Sequence, residues 1–152
     1  MHEGTGTVVF RGRKKRQQQP VIIKLLKSEY PTLEEITRLR HEYKVLKDFV
    51  SERVVKAYKL EKYRNAFALI LEDFSGQALS QILVSRQLTI TECLKIAIAL
   101  AETLIDLEQA AIIHKDIKPS NIIINVETQQ VKLTDFGLSS RLFFRKTNYQ
   151  QP

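Results

Sequence analysis

Two short apolar runs joined by a polar turn constrain the fold of this chain more than any other feature. Residues 122–124 and 131–133 are rich in β-branched side chains, and residues 126–130 between them are polar. This pattern predicts an antiparallel hairpin. Pairing of the two strands is expected to bring Asn121, just before the first strand, close to Asp135, just after the second.

Polar side chains with complementary chemistry surround this hairpin. Asp135 and Asn121 supply the oxygen ligands that a hard cation such as Mg²⁺ prefers. Asp116 can accept a proton from a hydroxyl, and Lys118 can neutralise a transferring phosphoryl group. A base, cation ligands and a positive charge are the parts that phosphoryl transfer needs. The spacing therefore favours that reaction.

The sequence H-K-D-I-K-P-S-N at 114–121, followed by D-F-G at 135–137, resembles the catalytic and magnesium loops of eukaryotic-type protein kinases. The lysine two residues after the aspartate resembles the pattern of the Ser/Thr class of protein kinases. The resemblance implies Asp116 and Lys118 as catalytic residues and Asn121 and Asp135 as metal ligands, with ATP and Mg²⁺ as cofactors. It also implies that His114 is structural and packs under Phe136.

The same resemblance implies an α+β, protein-kinase-like fold with two lobes. Residues 1–72 are expected to form an antiparallel-sheet N lobe, 73–76 the hinge, and 77–152 the start of a helical C lobe that is incomplete after D-F-G. The strand that normally precedes the glycine-rich loop is expected to be absent. Further strands are expected at 7–11, 21–26, 54–60 and 66–71.

The N-terminal half supplies the nucleotide-binding residues that the resemblance implies. Lys24 is a single charge in an apolar strand, where it is costly to bury unless paired. A capping box at Thr32 and Glu35 opens a helix on which Glu42 is expected to pair with Lys24. The other implied cofactor-binding positions are Gly4 and Gly6 of an incomplete glycine-rich loop, Val9, the hinge residues Glu72 and Phe74, and Ile123.

Three further positions depart from the family pattern. Ile22 stands where an alanine packs on adenine, which narrows the nucleotide slot. Ala78 stands where many kinases contact the ribose through a polar side chain. Lys115 replaces an arginine that binds an activation-loop phosphate bidentately, a geometry that lysine cannot reproduce.

A second capping box, Thr89 to Glu92, predicts a long helix ending near Ala110. Helical spacing predicts an inward face on it, and Cys93 is expected to be a small buried residue. A shorter helix is expected at Leu79–Ser85. The predicted inward residues are Leu94, Ala97, Ile98, Ala101, Leu104 and Ile105.

Charge and cysteine content bound the remaining classes. The net charge is +7, and residues 1–30 hold seven Lys/Arg against two Glu. The basic run at 13–16 is interpreted as a solvated turn between strands rather than a nucleic-acid patch, because no aromatic residues interleave with it. One cysteine excludes an internal disulfide and fits the cytoplasm. Neither a membrane span nor a signal peptide is expected.

The leading hypothesis is a Ser/Thr protein kinase domain fragment that binds ATP, with γ-phosphoryl transfer to a protein substrate in the full-length parent. The alternative is a nucleotide-binding or scaffolding fragment without turnover, and a weaker one is a basic nucleic-acid-binding fragment. The amino-acid sequence around 20–26 and 135–142 resembles that of N-terminal kinase domains of large bacterial signalling proteins, which implies further signalling domains on the same polypeptide. The isolated chain is expected to phosphorylate proteins poorly.

Overall fold

The computed structural model describes residues 2–3, 6–15 and 18–142. Its first part is a five-stranded antiparallel sheet in the order β1-β2-β3-β5-β4, with one helix, α1 (Leu33–Asp48). The strands are β1 (His2–Glu3), β2 (Thr7–Arg13), β3 (Pro20–Leu26), β4 (Ala57–Tyr63) and β5 (Ala66–Glu72). The α+β class and the antiparallel N-terminal sheet are confirmed.

The first strand differs from the expectation that it would be absent. His2 and Glu3 pair antiparallel with Val9 and Val8 of β2. Two extended residues are enough to continue the backbone ladder, but they are too few to produce an alternating pattern that a sequence would reveal.

Within the described residues, the second part holds two α-helices, α2 (Leu79–Ser85) and α3 (Ile90–Gln109), and a 3-10 turn at Pro119–Asn121, beside short strands. A three-stranded sheet has the order β6-β8-β9, from β6 (Gln77–Ala78), β8 (Ile122–Asn125) and β9 (Gln130–Leu133). A separate pair joins β7 (Ile112–Ile113) to β10 (Ser140–Arg141). The predicted hairpin is confirmed, with Ile122 opposite Leu133.

Both predicted capping boxes are present. The Thr32 hydroxyl accepts the Glu35 N–H while the Glu35 carboxylate accepts the Thr32 N–H, and Thr89 and Glu92 repeat the arrangement at α3. Each box satisfies two backbone donors that a helix start leaves free. The starts of α1 and α3 are therefore fixed by local sequence.

The strand expected at 54–60 begins three residues later, at Ala57. Val54 instead forms a parallel bridge with Leu133 of the second part, and the Val55 N–H donates to the Leu133 carbonyl at 3.0 Å. Both valines are buried. These apolar residues join the two parts of the molecule rather than extend the sheet.

The inward face predicted for α3 is wrong. Leu94, Ala97, Ile98, Ala101, Leu104 and Ile105 are exposed, as is Cys93. Thr103 and Leu107 are buried instead, and Ile96, Ala99 and Leu100 pack against the core. The helix is apolar on several sides, so its periodicity alone cannot select the packed face. Thr103 tolerates burial because its hydroxyl donates to the Ala99 carbonyl at 2.7 Å.

Arg13 of the basic run ends β2, and Lys14 and Lys15 lie in the turn between β2 and β3, as interpreted. The Lys14 N–H donates to the Gln19 carbonyl at 2.9 Å, and the Lys14 ammonium lies over the Tyr58 ring. Arg16 is outside the described residues. Of the helices in the described part of the chain, none is long and apolar enough to cross a membrane.

Candidate active site

A cavity of about 710 Å³ opens between the five-stranded sheet and the three-stranded sheet. Eleven of the twelve residues predicted for the site line it, and the twelfth, Gly4, lies outside the described residues. The eleven are Gly6, Val9, Lys24, Glu42, Glu72, Phe74, Asp116, Lys118, Asn121, Ile123 and Asp135. Ile22 and Ala78, the two departures near the expected nucleotide slot, line the same cavity.

Lys24 connects the two halves of the site. It lies on the central strand β3, opposite Val9 and Leu69. Its ammonium is 2.8 Å from Glu42 Oε2, which confirms the predicted strand-to-helix pair, and 3.0 Å from Asp135 Oδ1, a contact that was not predicted. Burial opposes the charge, but the two carboxylates outweigh it and raise the pKa of Lys24. Lys24 therefore stays charged.

Glu42 depends on that ammonium. It is 1% exposed, and its Oε1 atom has no hydrogen-bond partner within the described part of the chain. A buried, half-satisfied carboxylate is costly to keep. The pair therefore forms only while α1 holds Glu42 against β3.

Asp116 is held by two neighbours in the loop before β8. Lys118 Nζ lies 2.7 Å from its Oδ2, and Asn121 Nδ2 donates to its carbonyl at 2.8 Å and its Oδ2 at 3.0 Å. The hydrogen bond from Lys118 is the main cause that lowers the pKa of Asp116. An ionised Asp116 is a proton acceptor at neutral pH.

His114 has the structural role that the resemblance implies. Its ring packs edge-on against buried Phe136, with centroids 4.5 Å apart. Nε2 lies 3.0 Å from the Thr134 carbonyl, and Nδ1 accepts the Asp116 N–H at 3.2 Å. The carbonyl cannot donate, so the proton resides on Nε2, and burial lowers the pKa of His114 further toward the neutral form. The neutral ring thus links Asp116 to the D-F-G segment.

Asn121 and Asp135 fit a magnesium ion that arrives with phosphate groups. The Asn121 carbonyl accepts the Thr134 N–H at 3.0 Å, so the backbones adjoin across the hairpin. The Asn121 amide nitrogen is engaged with Asp116, which leaves its side-chain oxygen for a cation. The Asp135 side chain is 39% exposed. Among the described residues no group of three His, Cys, Asp or Glu could hold a metal alone, and Mg²⁺ commonly takes its remaining ligands from phosphates and water.

Asp135 also has an unusual backbone, with φ of 66°. An aspartate tolerates this left-handed conformation better than most residues, but the conformation is sparsely populated and clusters at functional sites. It places the carboxylate on the cavity side while Phe136, the next residue, is fully buried.

The hinge is held by residues that the sequence interpretation missed. Lys132 on β9 is buried, and its ammonium lies 2.8 and 3.0 Å from the two carboxylate oxygens of Glu72. Asn125 Nδ2 donates to the Phe74 carbonyl at 2.7 Å, so that carbonyl is already engaged. A lone charge in an apolar strand, the pattern that identified Lys24, also marks Lys132. Nothing in the sequence distinguishes Asn125 from an ordinary turn residue.

Arg11 closes one side of the cavity. Its Nε lies 2.7 Å from Asp73 Oδ2, and its Nη2 donates to the Gly76 carbonyl at 3.1 Å. Asp73 also accepts the Ser75 N–H at 2.9 Å. Arg11 therefore ties β2 to the hinge, a contact between residues more than sixty positions apart that the sequence does not announce.

Most of the chain is similar to known proteins. The family model of the protein kinase domain matches residues 1–151. A probable serine/threonine-protein kinase of Clostridium perfringens, CPE1738, is 28% identical over 142 residues, which is 92% of this chain and 21% of the relative. Serine/threonine-protein kinase PknL of Mycobacterium tuberculosis is 31% identical over 137 residues, 89% of this chain and 34% of the relative. Serine/threonine-protein kinase TIO of Arabidopsis thaliana is 31% identical over 139 residues, 90% of this chain and 10% of the relative. The chain thus spans at most about a third of these relatives' length.

Proposed function

Because the chain belongs to the protein kinase domain family, we propose that it binds Mg-ATP in this cavity and contributes γ-phosphoryl transfer to Ser/Thr hydroxyls of a protein substrate within a longer parent. The observation that carries the proposal is the placement of Lys24 between Glu42 and Asp135 on the cavity wall. A fixed ammonium beside a half-exposed carboxylate suits a phosphate chain and its metal.

Each residue has a role in this proposal. Lys24, held by Glu42, binds phosphate oxygens, and the backbone at Glu72 and the Phe74 N–H bind adenine, because Asn125 holds the Phe74 carbonyl. Asn121 and Asp135 hold Mg²⁺, which neutralises phosphate charge when bound. Asp116 accepts the proton of the attacking hydroxyl, and Lys118, 2.7 Å from it, meets the negative charge of the transferred group.

The proposal keeps the lobe boundaries 1–72, 73–76 and 77–152. They are supported by the end of β5 at Glu72 and the start of β6 at Gln77. We also propose that the protein resides in the cytoplasm, where ATP is available and a single thiol stays reduced. We further propose that the same polypeptide carries other signalling domains, and the resemblance to bacterial signalling kinases is the only support for this.

Nucleotide binding is tested by titrating the 152-residue chain with a fluorescent ATP analogue, with and without Mg²⁺. We expect Mg²⁺ to tighten binding in the wild type and Asp135→Ala to abolish that gain. Glu108→Ala removes an exposed carboxylate of α3 that does not line the cavity, and is the matched control. Undiminished Mg²⁺ dependence in Asp135→Ala would show that the metal role is wrong, and no binding by the wild type would reject the nucleotide site.

A binding function without turnover is the second candidate. It is favoured by the exposed apolar face of α3, which includes Leu94 and Ile98, and by the incomplete glycine-rich loop. The two functions are separated by transfer of radiolabelled phosphate from ATP to generic protein substrates by the longer parent, with Asp116→Ala as control, because the 152-residue chain alone is expected to phosphorylate proteins poorly under either function. Transfer that disappears in the control supports the kinase, while nucleotide binding without transfer supports the second function.

A further inference from the structure

A side-chain contact links α1 to the segment that follows D-F-G. His41 Nε2 lies 2.8 Å from the carbonyl oxygen of Ser139 and 3.3 Å from its hydroxyl. Ser139 is buried, and the two residues are 98 positions apart. His41 immediately precedes Glu42 on α1. A contact that fixes the helix at His41 therefore also restrains the backbone position of Glu42, whose carboxylate pairs with Lys24.

The hydrogen-bonding partners fix the direction of this contact. A carbonyl oxygen only accepts, so His41 Nε2 must carry the proton and donate it to Ser139. The Ser139 hydroxyl donates to the Phe136 carbonyl at 2.7 Å, and the Ser139 N–H points to the same oxygen at 3.1 Å. Ser139 is therefore fixed independently of His41 and offers it a rigid acceptor.

The segment is anchored to the second part of the molecule as well. Ser140 and Arg141 pair with Ile113 and Ile112. A weaker contact lies nearby, where Arg141 is 3.6 Å from Asp48 on largely exposed side chains. Exposed pairs contribute little, so of these two contacts the hydrogen bond from His41 is the specific one.

We propose that His41 is a positioning residue for the magnesium-nucleotide site. By binding Ser139, it fixes α1 against the D-F-G segment, which holds Glu42 within reach of Lys24 and Asp135 at the cavity wall. This inference rests on the proposed function, because it assigns His41 to the same nucleotide site. His41 itself touches none of the reacting groups.

The test measures affinity for a fluorescent ATP analogue with and without Mg²⁺ in matched variants of the 152-residue chain. His41→Ala should reduce the Mg²⁺-dependent gain in affinity by about three- to tenfold, the range that corresponds to one hydrogen bond, and should also weaken Mg²⁺-free binding, because Lys24 binds phosphate in either case. His41→Gln keeps an N–H donor of similar reach and should restore most of the gain. Ser139→Ala keeps the accepting carbonyl and should have a smaller effect. Lys44→Ala, on an exposed position of α1, should have none.

Hydrogen-deuterium exchange without nucleotide provides a second readout that does not need binding. Faster exchange across residues 33–48 in His41→Ala, but not in His41→Gln, supports the tie. The proposal is overturned by an unchanged Mg²⁺ gain in His41→Ala or by failure of glutamine to restore either readout. A wild-type chain that gains no affinity from Mg²⁺ rejects the proposed function instead, and the exchange data then decide whether His41 holds α1.

Discussion

Replacing Lys24 with methionine is expected to destabilise the fold strongly. The substitution leaves Glu42 1% exposed, with one oxygen unpartnered from the outset and the other deprived of its ammonium. Removing one partner of a buried ion pair costs about 3–5 kcal/mol. For a chain of this size that corresponds to a melting temperature lower by roughly 6–20 °C.

The other single variant and the double variant make the reasoning specific. Glu42→Leu leaves Lys24 with Asp135 at 3.0 Å, so the loss should be smaller, about 1–3 kcal/mol. The double variant, Lys24→Met with Glu42→Leu, removes both charges, and such replacements are neutral or stabilising by about 1–4 kcal/mol. It should therefore recover most of the stability that Lys24→Met loses, although it should not bind nucleotide.

The dependence on pH adds a further check. Burial raises the pKa of Glu42 above its usual value. A carboxyl group with a raised folded pKa is not penalised below its unfolded pKa of about 4.3, and the folded state loses stability as pH rises through the raised value. The deficit of Lys24→Met should therefore shrink as pH falls toward 4 and grow as pH rises.

The assay is urea denaturation followed by circular dichroism at several pH values, compared at constant slope so that midpoints report stability. A Lys24→Met chain as stable as the wild type at pH 7.5 would refute the uncompensated-charge argument. Additive effects of the two substitutions in the double variant would refute the coupling between them.

Two further predictions concern α3. Hydrogen bonds from Arg86 and Thr89 lower the pKa of Glu92 to about 2, so its contribution to stability is present above pH 4.5 and lost as pH falls toward 2. The melting temperatures of wild type and Glu92→Gln should therefore differ at pH 7 and converge near pH 2. A difference that stays constant with pH would contradict the charge argument. Ile98 is 60% exposed and Leu107 is 2% exposed. Ile98→Lys should therefore change stability by less than about 0.5 kcal/mol and reduce aggregation in light scattering, while Leu107→Ala should cost about 2–5 kcal/mol in urea denaturation. A larger loss from Ile98→Lys than from Leu107→Ala would instead support the inward face predicted from spacing.

Features set by neighbouring residues could be predicted from the sequence. The capping boxes at Thr32 and Thr89 each involve side chains three residues apart, and the hairpin follows from two β-branched runs around a short turn. The pair between Lys24 and Glu42 was also predictable, because a lone charge in an apolar strand needs a partner and the helix that follows offers an acid beside its apolar face.

Features that depend on distant packing were decided only by the tertiary structure. The apolar residues of α3 surround much of the helix, so the packed face was chosen by the elements that lie against it, not by its own periodicity. Val54 lies outside the predicted strand because its backbone forms a bridge with Leu133 in the other part of the molecule. The contacts of Arg11 with Gly76, Lys132 with Glu72 and His41 with Ser139 join residues 65, 60 and 98 positions apart. Each uses a common polar residue whose partner exists only after the chain has folded, because a hydrogen bond requires the two atoms to lie about 3 Å apart and local sequence places no such limit on remote residues.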